Sequence, residues 1–281
     1  MSEQRPTRKK TAGGPASRGG DGTALYVYCV GEAGRLAPLL GDAPEAIEDP
    51  AALELVTAGA LGAVVSAVPL ADYGEEGMAA RLADAAWTAT RALRHERAVE
   101  HFARRAAVVP LRFGTIYLRR ESVARMLEER GASLREALAR LEGREEWGVN
   151  VYVDRARLKE TVVGVSARLR EMAERAASAS PGQGYLLRKK IDALRDEEAR
   201  AETKRVASET EARLGGVSDG AARLRTIKGE RDEPGEVAAR LAFLVPRAGF
   251  DRFRAEAERL AEEFTPLGFR FELTGPWPPY N

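Results

Sequence analysis

The sequence has little of the chemistry that most catalytic and metal sites require. Among 281 residues there is one cysteine, Cys29, and there are two histidines. A single cysteine excludes an intramolecular disulfide, a cysteine-ligated zinc site and an iron–sulfur cluster. Cys29 lies within an apolar stretch, so we interpret it as a buried, inert thiol.

Excess charge and a long hydrophobic run are also absent. Lys and Arg together number 44 and Asp and Glu 43, which leaves a net charge of +1. A nucleic-acid-binding protein needs a surplus of positive charge to neutralise phosphates, so we expect no nucleic-acid partner. The uncharged run at 55–71 is short for a membrane span and is interrupted by Gly59, Gly62 and Pro69. It instead predicts a β-hairpin. We therefore expect a cytoplasmic protein that has no lipid-membrane partner.

The first 22 residues have a different composition from the rest of the chain. They are basic and rich in glycine and proline, and they lack the apolar run of a targeting signal. Such a segment cannot bury enough apolar surface to offset the entropy of ordering it. We predict a disordered arm at 1–22, and a solubilising role is favoured over contact with RNA or an acidic surface.

Residues 23–144 predict an N-terminal α+β domain. The β-forming residues of 25–30 predict a strand, and a hairpin follows at 53–57 and 61–68. The segment from 78 to about 107 has no proline or glycine and predicts one long helix. A short extended piece at 108–113 and a second helix at about 121–141 complete the domain.

Residues 145–281 predict a second α+β domain. Alternating apolar and polar residues predict four strands at 148–154, 220–227, 237–245 and 267–274. The order β-α-α-β-β-α-β, with its first helix taken as an insertion, is the ferredoxin-like βαββαβ order. We expect an antiparallel sheet with helices 185–214 and 247–264 on one face. The first turns of helix 185–214 should pack, and its densely charged later turns should face solvent. The predicted core phenylalanines are Phe243, Phe250, Phe253, Phe264, Phe269 and Phe271.

Motifs for catalysis and cofactor binding are incomplete wherever they begin. His95 and His101 are six residues apart, whereas a zinc-binding helix places its two histidines four apart. His95 is therefore expected to be a hydrogen-bonded residue at the edge of the core. Gly182 and Gly184 lack the third glycine and the preceding strand of a dinucleotide-binding loop. We predict no catalytic residue, no cofactor and no metal.

Three segments of unusual composition supply the candidate functional residues. They are 109–115, 146–154 and 274–280. Each is either part of the core architecture or a surface for a partner, and the residues alone favour architecture. The candidate partner-binding or interdomain residues are Pro110, Arg112, Phe113, Trp147, Tyr152, Trp277 and Tyr280.

The proline-rich tail at 275–281 has two competing interpretations. Its three prolines fix φ and remove three hydrogen-bond donors, which predicts an extended, polyproline-like segment rather than a continuation of the preceding strand. In the favoured interpretation Trp277 folds back and fastens the two domains together, because an exposed tryptophan invites aggregation. In the alternative, Trp277 projects as an anchor for a hydrophobic partner.

Taken together, these segments resemble those of the GvpF/GvpL family of gas vesicle proteins. The resemblance covers nearly everything from Leu25 onward and rests on short strings in the same order. The rarest of them are Pro-Leu-Arg-Phe-Gly-Thr at 110–115 and Thr-Gly-Pro-Trp-Pro-Pro-Tyr at 274–280. Others are Leu-Tyr-Val-Tyr at 25–28, His-Glu-Arg at 95–97 and Gly-Tyr-Leu-Leu-Arg at 184–188. The arm at 1–22 is an addition to the family pattern.

The resemblance implies an accessory protein of gas vesicle assembly. Its partners would be the small, hydrophobic shell subunit of the vesicle and other accessory proteins, and its location the cytoplasm and the gas vesicle. It also implies two α+β domains, of which the second is ferredoxin-like, and no catalytic residue. A ferredoxin-like enzyme or nucleotide-binding domain whose site has no recognisable motif remains the alternative.

Overall fold

The structure is a computed structural model that describes residues 22–226, 231–232 and 235–281. The predicted disordered arm lies outside this range except for Gly22. The carbonyl oxygen of Gly22 accepts a hydrogen bond from the amide of Leu70 at 2.6 Å, so this glycine belongs to the folded part. Residue 227, the predicted end of a strand, also lies outside the described residues.

The described residues form ten strands and ten α-helices. The strands are β1 (Thr23–Glu32), β2 (Glu54–Ala58), β3 (Leu61–Pro69), β4 (Val108–Pro110), β5 (Ile116–Tyr117), β6 (Arg144–Val153), β7 (Gly220–Arg223), β8 (Arg231–Asp232), β9 (Gly235–Pro246) and β10 (Phe269–Trp277). The helices are α1 (Ala33–Leu36), α2 (Leu70–Tyr73), α3 (Glu75–Leu82), α4 (Ala85–Ala103), α5 (Arg120–Glu129), α6 (Gly131–Leu141), α7 (Arg155–Val165), α8 (Ala167–Ser178), α9 (Pro181–Gly215) and α10 (Phe250–Phe264). Within the described ranges, no helix combines the length and the apolar composition needed to cross a bilayer.

The first sheet is antiparallel and has helices on both faces. Its strand order is β2-β3-β1-β4, and β5 also pairs with β1. The predicted hairpin is confirmed: β2 and β3 are joined by a tight turn in which Gly59 has a φ of 59°. Side chains alternate along β1, so Tyr26 and Tyr28 pack under α4, whereas Val27 packs against α5 and α6. This alternation builds two hydrophobic layers from one sheet.

Three helices predicted as continuous are broken in the structure. The helix expected at 78–107 is divided between α3 and α4, because the side chain of Asp84 caps α4 by accepting from the amides of Ala86 and Trp87. The helix expected at 121–141 is divided at Arg130. Apolar residues from Leu158 to Ala176 recur at helical spacing and predict one helix, the first of the second half. The structure divides it at Ser166, whose hydroxyl caps α8.

The second sheet has the strand order β10-β6-β9-β7, with β8 also paired to β9, and every pair is antiparallel. The predicted antiparallel pairing of the second and third strands is therefore confirmed. In chain order β6, β7, β9 and β10 are the first to fourth long strands, so their spatial order is fourth, first, third, second. Helices α9 and α10 cover one face, as the alternation predicts.

The core of the second sheet differs from the prediction in two respects. Phe243, Phe253, Phe264 and Phe269 are buried, but Phe250 and Phe271 are only half-buried at the border of the core. The prediction that only the first turns of α9 pack is wrong. The later turns of α9 also pack against the sheet, through apolar side chains that recur about every seven residues. These are Ala199, Val206, Ala207 and Leu214.

The first half of α9 packs away from the sheet. Ile191 forms a small separate cluster with Val162 of α7 and Leu169 of α8. At 35 residues, α9 is roughly 50 Å long, so one helix spans both this cluster and the main core.

Candidate functional site

The tail at 275–281 lies along the second sheet before it crosses to the first. The prediction that it leaves the sheet as a polyproline segment is wrong, because β10 continues to Trp277, which pairs with Glu146. Between Thr274 and Trp277 the register shifts at a β-bulge, and this bulge contains Pro276. A bulge on an edge strand accepts proline because no ladder hydrogen bond is required there. Gly275, at a φ of 123°, supplies the backbone conformation.

Beyond the bulge, Tyr280 docks against His95 of α4. The Tyr280 hydroxyl lies 3.0 Å from His95 Nε2 and donates to Glu96 Oε1 at 3.1 Å. On the other side of the imidazole, His95 Nδ1 lies 2.9 Å from the Tyr26 hydroxyl. That hydroxyl accepts from the amide of Gly114 at 3.1 Å. The tail is thus hydrogen-bonded to the first core.

One protonation state satisfies this whole series of hydrogen bonds. The Gly114 amide donates to Tyr26, Tyr26 donates to Nδ1 of His95, His95 donates through Nε2 to Tyr280, and Tyr280 donates to Glu96. The assignment requires a neutral imidazole protonated on Nε2. Burial disfavours the imidazolium ion and lowers the pKa of His95 to about 4, which is consistent with this assignment.

Burial also shifts the pKa values of the neighbouring groups. Burial raises the pKa of Tyr28, whose ring stacks on His95, to about 12. The pKa values of Tyr26 and Tyr280 rise for the same reason. Burial raises the pKa of the Glu96 carboxyl, although the hydrogen bond from Tyr280 partly offsets this. The junction therefore favours uncharged side chains, which suits an internal contact.

Asn281 extends the contact back to the second sheet. Its amide nitrogen and its side-chain nitrogen donate to the Glu146 carboxylate at 3.0 and 2.9 Å. Glu146 is 6% exposed, and burial raises its pKa while the hydrogen bonds from Asn281 lower it. Two consecutive tail residues, Tyr280 and Asn281, thus bind opposite sides of the junction.

Trp277 pairs with Glu146 of β6, which lies in the 146–152 strand, one of its two predicted contacts, but its side chain is not buried at the junction. Its side chain is 52% exposed, and its Nε1 donates to Thr274 within the same strand at 3.1 Å. It borders a shallow depression beside Glu100 of α4 and Arg104, the residue that follows α4. Tyr280, one of the candidate partner-binding or interdomain residues, makes the hydrogen bonds to α4. Asn281 makes the hydrogen bonds back to β6.

Trp277 is one of several exposed apolar side chains on this side of the molecule. Tyr280 is 38% exposed, and Leu93 of α4 is 52% exposed. Leu93, Glu96 and Glu100 share one face of α4, since they are spaced three and seven residues apart. Tyr280 contacts Glu96, and Trp277 borders Glu100, so all three apolar side chains follow this face. We call Leu93, Trp277 and Tyr280 the tail patch.

The candidates in segment 109–115 lie next to the junction. Pro110 pairs with Cys29 at the end of β4 and is buried. The ring of Phe113 meets the His95 ring edge-on at 5.9 Å between centroids. Arg112 is exposed, and its carbonyl oxygen accepts from the amide and hydroxyl of Thr115, which closes a turn. Phe113 and Tyr280 therefore share His95 as a neighbour.

The structure does not bring Trp147 and Tyr152 to the His95 cluster. Trp147 lies on the helix-covered face of the second sheet and stacks on Phe250 with 4.2 Å between ring centroids. Tyr152 lies on the opposite face, donates to Glu272 at 2.9 Å and is covered by the Arg270 guanidinium at 4.7 Å. Both side chains serve the architecture of the second sheet.

Sequence reasoning missed Glu96, Glu146 and Asn281 as parts of the junction. Glu96 lies in the His-Glu-Arg string, so its position within a recognisable motif was an available signal. Glu146 lies in segment 146–154 and Asn281 directly follows Tyr280, but no sequence pattern marks a contact between residues 135 positions apart. Within the described residues, no group of three or more His, Cys, Asp or Glu side chains could hold a metal ion.

The comparison with solved structures supports the architecture. The crystal structure of the gas vesicle protein GvpF from Anabaena sp. PCC7120 matches with a TM-score of 0.61 and 16% identity over 92% of this chain and 94% of that chain. GvpF from Microcystis aeruginosa matches with a TM-score of 0.54 and 16% identity, over 92% and 98% of the two chains. At this identity the likeness establishes a shared mixed helix-and-sheet fold.

Sequence comparison identifies the family. Gas vesicle protein L of Streptomyces sp. (strain CB03234) is 32% identical over 244 residues, which is 81% of each chain. Gas vesicle protein L1 of Halobacterium salinarum is 29% identical over 178 residues, or 62% of each chain. Residues 24–281 match the family described as gas vesicle synthesis protein GvpL/GvpF. With this match over nearly its whole length, the chain belongs to the GvpL/GvpF family of gas vesicle proteins.

Proposed function

We propose that this protein is a non-enzymatic accessory factor that takes part in gas vesicle assembly by binding the small, hydrophobic shell subunit. Family membership supports a role in vesicle formation. The observation that carries the binding function is the 52% exposed side chain of Trp277. Tryptophan is the residue most enriched among binding hot spots, and a half-exposed one has apolar area available for a partner.

The tail patch is the proposed docking surface for the shell subunit. Its backbone is held in place, since Trp277 pairs with Glu146 and Tyr280 is hydrogen-bonded to His95. A patch on an ordered backbone binds without the entropy cost of ordering a loose segment. Other accessory proteins of the vesicle are further candidate partners. The protein would act in the cytoplasm, at the growing vesicle.

We further propose that the chain is divided into two α+β domains at 23–144 and 145–281, the second of them ferredoxin-like. In support, each sheet has its own hydrophobic core, and the second sheet has the fourth-first-third-second strand order of that fold. The tail would then join the domains through Tyr280 and Asn281. In this arrangement it is both a strap and the carrier of Trp277.

The cavity beside α6 does not support the alternative function as an enzyme. A cavity of about 450 Å³ lies beside α6, and its lining residues, all from the described part of the chain, include no Ser, Cys or His. Its charged side chains include Arg35 and Glu142, which form an exposed ion pair at 2.5 Å. Such a site lacks the buried, convergent polar groups of an active site.

The binding proposal can be tested with purified protein and shell subunit in a pull-down. We expect Trp277→Ala to weaken capture by about tenfold or more, the effect of losing a hot-spot tryptophan. Leu186→Ala is the matched control, because Leu186 is 65% exposed on α9, away from the tail. Equal capture by both variants would contradict the assignment of the surface.

The role in assembly is tested separately by deleting the gene from its cluster. We expect vesicles to be absent or stunted by electron microscopy, without a metabolic defect. Complementation with Trp277→Ala should restore vesicles less well than complementation with Leu186→Ala. Normal vesicles in a clean deletion strain that has no second copy of the family would overturn the proposal.

A further inference from the structure

Strand β10 forms an edge of the second sheet. It pairs with β6 on one side, and no strand among the described residues pairs with it on the other. An unpaired edge presents backbone donors and acceptors that can receive a strand from another chain. The part of β10 before the bulge, residues 269–273, is regular and is called here the open edge.

The hydrogen-bond pattern fixes which backbone groups of β10 point outward. The amide of Asp154 donates to the carbonyl of Gly268 at 2.8 Å, so Gly268 faces β6. Because the direction alternates along an antiparallel strand, Arg270, Glu272 and Thr274 also face β6. The amide and carbonyl groups of Phe269, Phe271 and Leu273 therefore point to the open edge. Three residues offer a ladder for a further strand.

An apolar groove runs beside the open edge. A cavity of about 240 Å³ lies between β10 and α10 and is lined by Phe271, Leu273 and Val149 from the sheet and by Ala257 and Ala261 from the helix. Arg254 and Glu258 form its charged rim. Small alanines on α10 leave room for side chains of an added strand, which would alternate into this groove.

The charges on the open edge are self-complementary. Arg270 and Glu272 are two residues apart, so both point to the sheet face that carries neither α9 nor α10. When two copies of β10 run antiparallel with Phe271 opposite its own counterpart, Arg270 of each copy lies opposite Glu272 of the other. This register is compatible with the hydrogen-bond pattern, because the amide and carbonyl groups of Phe271 point outward and can bond to those of the other copy. Oppositely charged cross-strand neighbours stabilise such a pair.

We propose that a second copy of this chain pairs with β10, antiparallel and centred on Phe271, so that the two second sheets form one continuous sheet. Charged side chains, prolines and bulges protect an edge against pairing, and charges do so where they repel the approaching strand. Here the two signs attract a copy in one register. The bulge at Pro276 ends the ladder and limits it to the open edge. The assignment is independent of binding to the shell subunit.

The test measures self-association of the full chain by sedimentation velocity and light scattering over a range of concentrations. We expect a reversible dimer. Arg270→Glu places two Glu–Glu pairs across the dimer axis and should raise the dissociation constant by about tenfold or more. Arg252→Glu is the matched control, since Arg252 is exposed on α10 outside the groove and the change in charge is the same.

A mixing experiment separates the interface from any damage to the fold. Glu272→Arg alone should also weaken the dimer, because it creates two Arg–Arg pairs. An equimolar mixture of Arg270→Glu and Glu272→Arg chains pairs Glu with Arg at both positions, so a heterodimer should form at the wild-type affinity. Circular dichroism melting of each variant checks folding. Failure of the mixture to associate, with both chains folded, would contradict the proposal.

Hydrogen exchange identifies the strand involved. In the dimer we expect the amides of Phe269, Phe271 and Leu273 to exchange more slowly as the concentration rises. A wild-type chain that stays monomeric at every concentration overturns the proposal. A dimer that is unaffected by Arg270→Glu also overturns the proposal. Protection of 269–273 that appears only when shell subunit is added overturns it as well, because it would assign the edge to that subunit.

Discussion

Asn281 donates two hydrogen bonds to the buried carboxylate of Glu146, one from its backbone and one from its side chain. The two residues are 135 positions apart in the chain. Glu146 lies in β6, next to the strand that carries the tail, so this contact turns the end of the tail back onto the second sheet. Together with the hydrogen bond that His95 donates to Tyr280, it fixes the tail at two points.

Removal of the Glu146 carboxylate should loosen the tail. We expect Glu146→Ala to lower the free energy of unfolding by about 1–3 kcal/mol, since hydrogen bonds to a charged group are lost. Glu146→Gln retains one acceptor oxygen and should cost less. Glu145→Ala is the control, because its ion pair with Arg247 is partly exposed and contributes under about 1 kcal/mol. Urea denaturation measures all three, and equal stability of the two Glu146 variants would contradict the role of the acceptor.

Removal of the Tyr280 hydroxyl should destabilise the first core. Tyr280→Phe keeps the ring but leaves His95 Nε2 and Glu96 without this partner. An unsatisfied buried donor costs about 1–3 kcal/mol, which is a fall of several degrees in melting temperature for a chain of this size. Tyr185→Phe is the matched control, because Tyr185 is 61% exposed and its variant should melt like the wild type.

Acid should destabilise the protein through His95. Its pKa is about 4 in the folded state and about 6.5 when unfolded, so the unfolded chain binds more protons between these values. The contribution of the neutral imidazole is complete above pH 6.5 and is lost as the pH falls towards 4, by roughly 3 kcal/mol. Glu96 and Glu146 act in the opposite direction, since their raised pKa values favour protonation in the folded state.

The difference between wild type and His95→Gln isolates this contribution. Gln retains one donor and one acceptor but does not titrate in this range. The stability of wild type measured by urea denaturation at several pH values should fall more steeply between pH 6.5 and 4 than that of the variant. Parallel curves would show that His95 does not titrate with a lowered pKa.

The break between α3 and α4 depends on the side chain of Asp84. It accepts from the amides of Ala86 and Trp87 at 3.0 and 3.1 Å. Asp84→Ala should cost about 0.5–2 kcal/mol in thermal or chemical denaturation, the usual effect of losing an N-cap. Asp84→Asn keeps the capping oxygen and should be close to wild type. A fully stable Asp84→Ala variant would instead indicate that packing of Trp87 alone positions the start of α4.

The alternation of apolar residues was sufficient to predict the four main strands of the second sheet, although β7 ends at Arg223, short of its predicted end, and β8 was not predicted. Along β9, Leu241, Phe243 and Val245 face the helices, and a slip of one residue would place Arg240 in the core. The same argument fails for α9, because Ala199 and Val206 are small residues dispersed among charges. Their contribution is visible only once the sheet against which they pack is known.

The breaks in the helices and the course of the tail could not be predicted in this way. Asp84 and Ser166 are ordinary polar residues in helical sequence, and only their capping geometry distinguishes them. Pro276 argued against a strand, yet a bulge admits it. The partners of Tyr280 depend on how the two halves pack, and the local sequence does not indicate that packing.

The hydrogen bond that His95 donates to Tyr280 spans 185 positions of the chain. A ribosome makes His95, Tyr26 and the strands around them long before it makes Tyr280. During that interval the imidazole already has Tyr26, Tyr28 and Phe113 as neighbours, but its Nε2 lacks the Tyr280 partner. Contacts of such long sequence separation close late in folding. Until the tail is synthesised, the first half therefore has an Nε2 donor on His95 that lacks its tyrosine partner, and the tail supplies that partner.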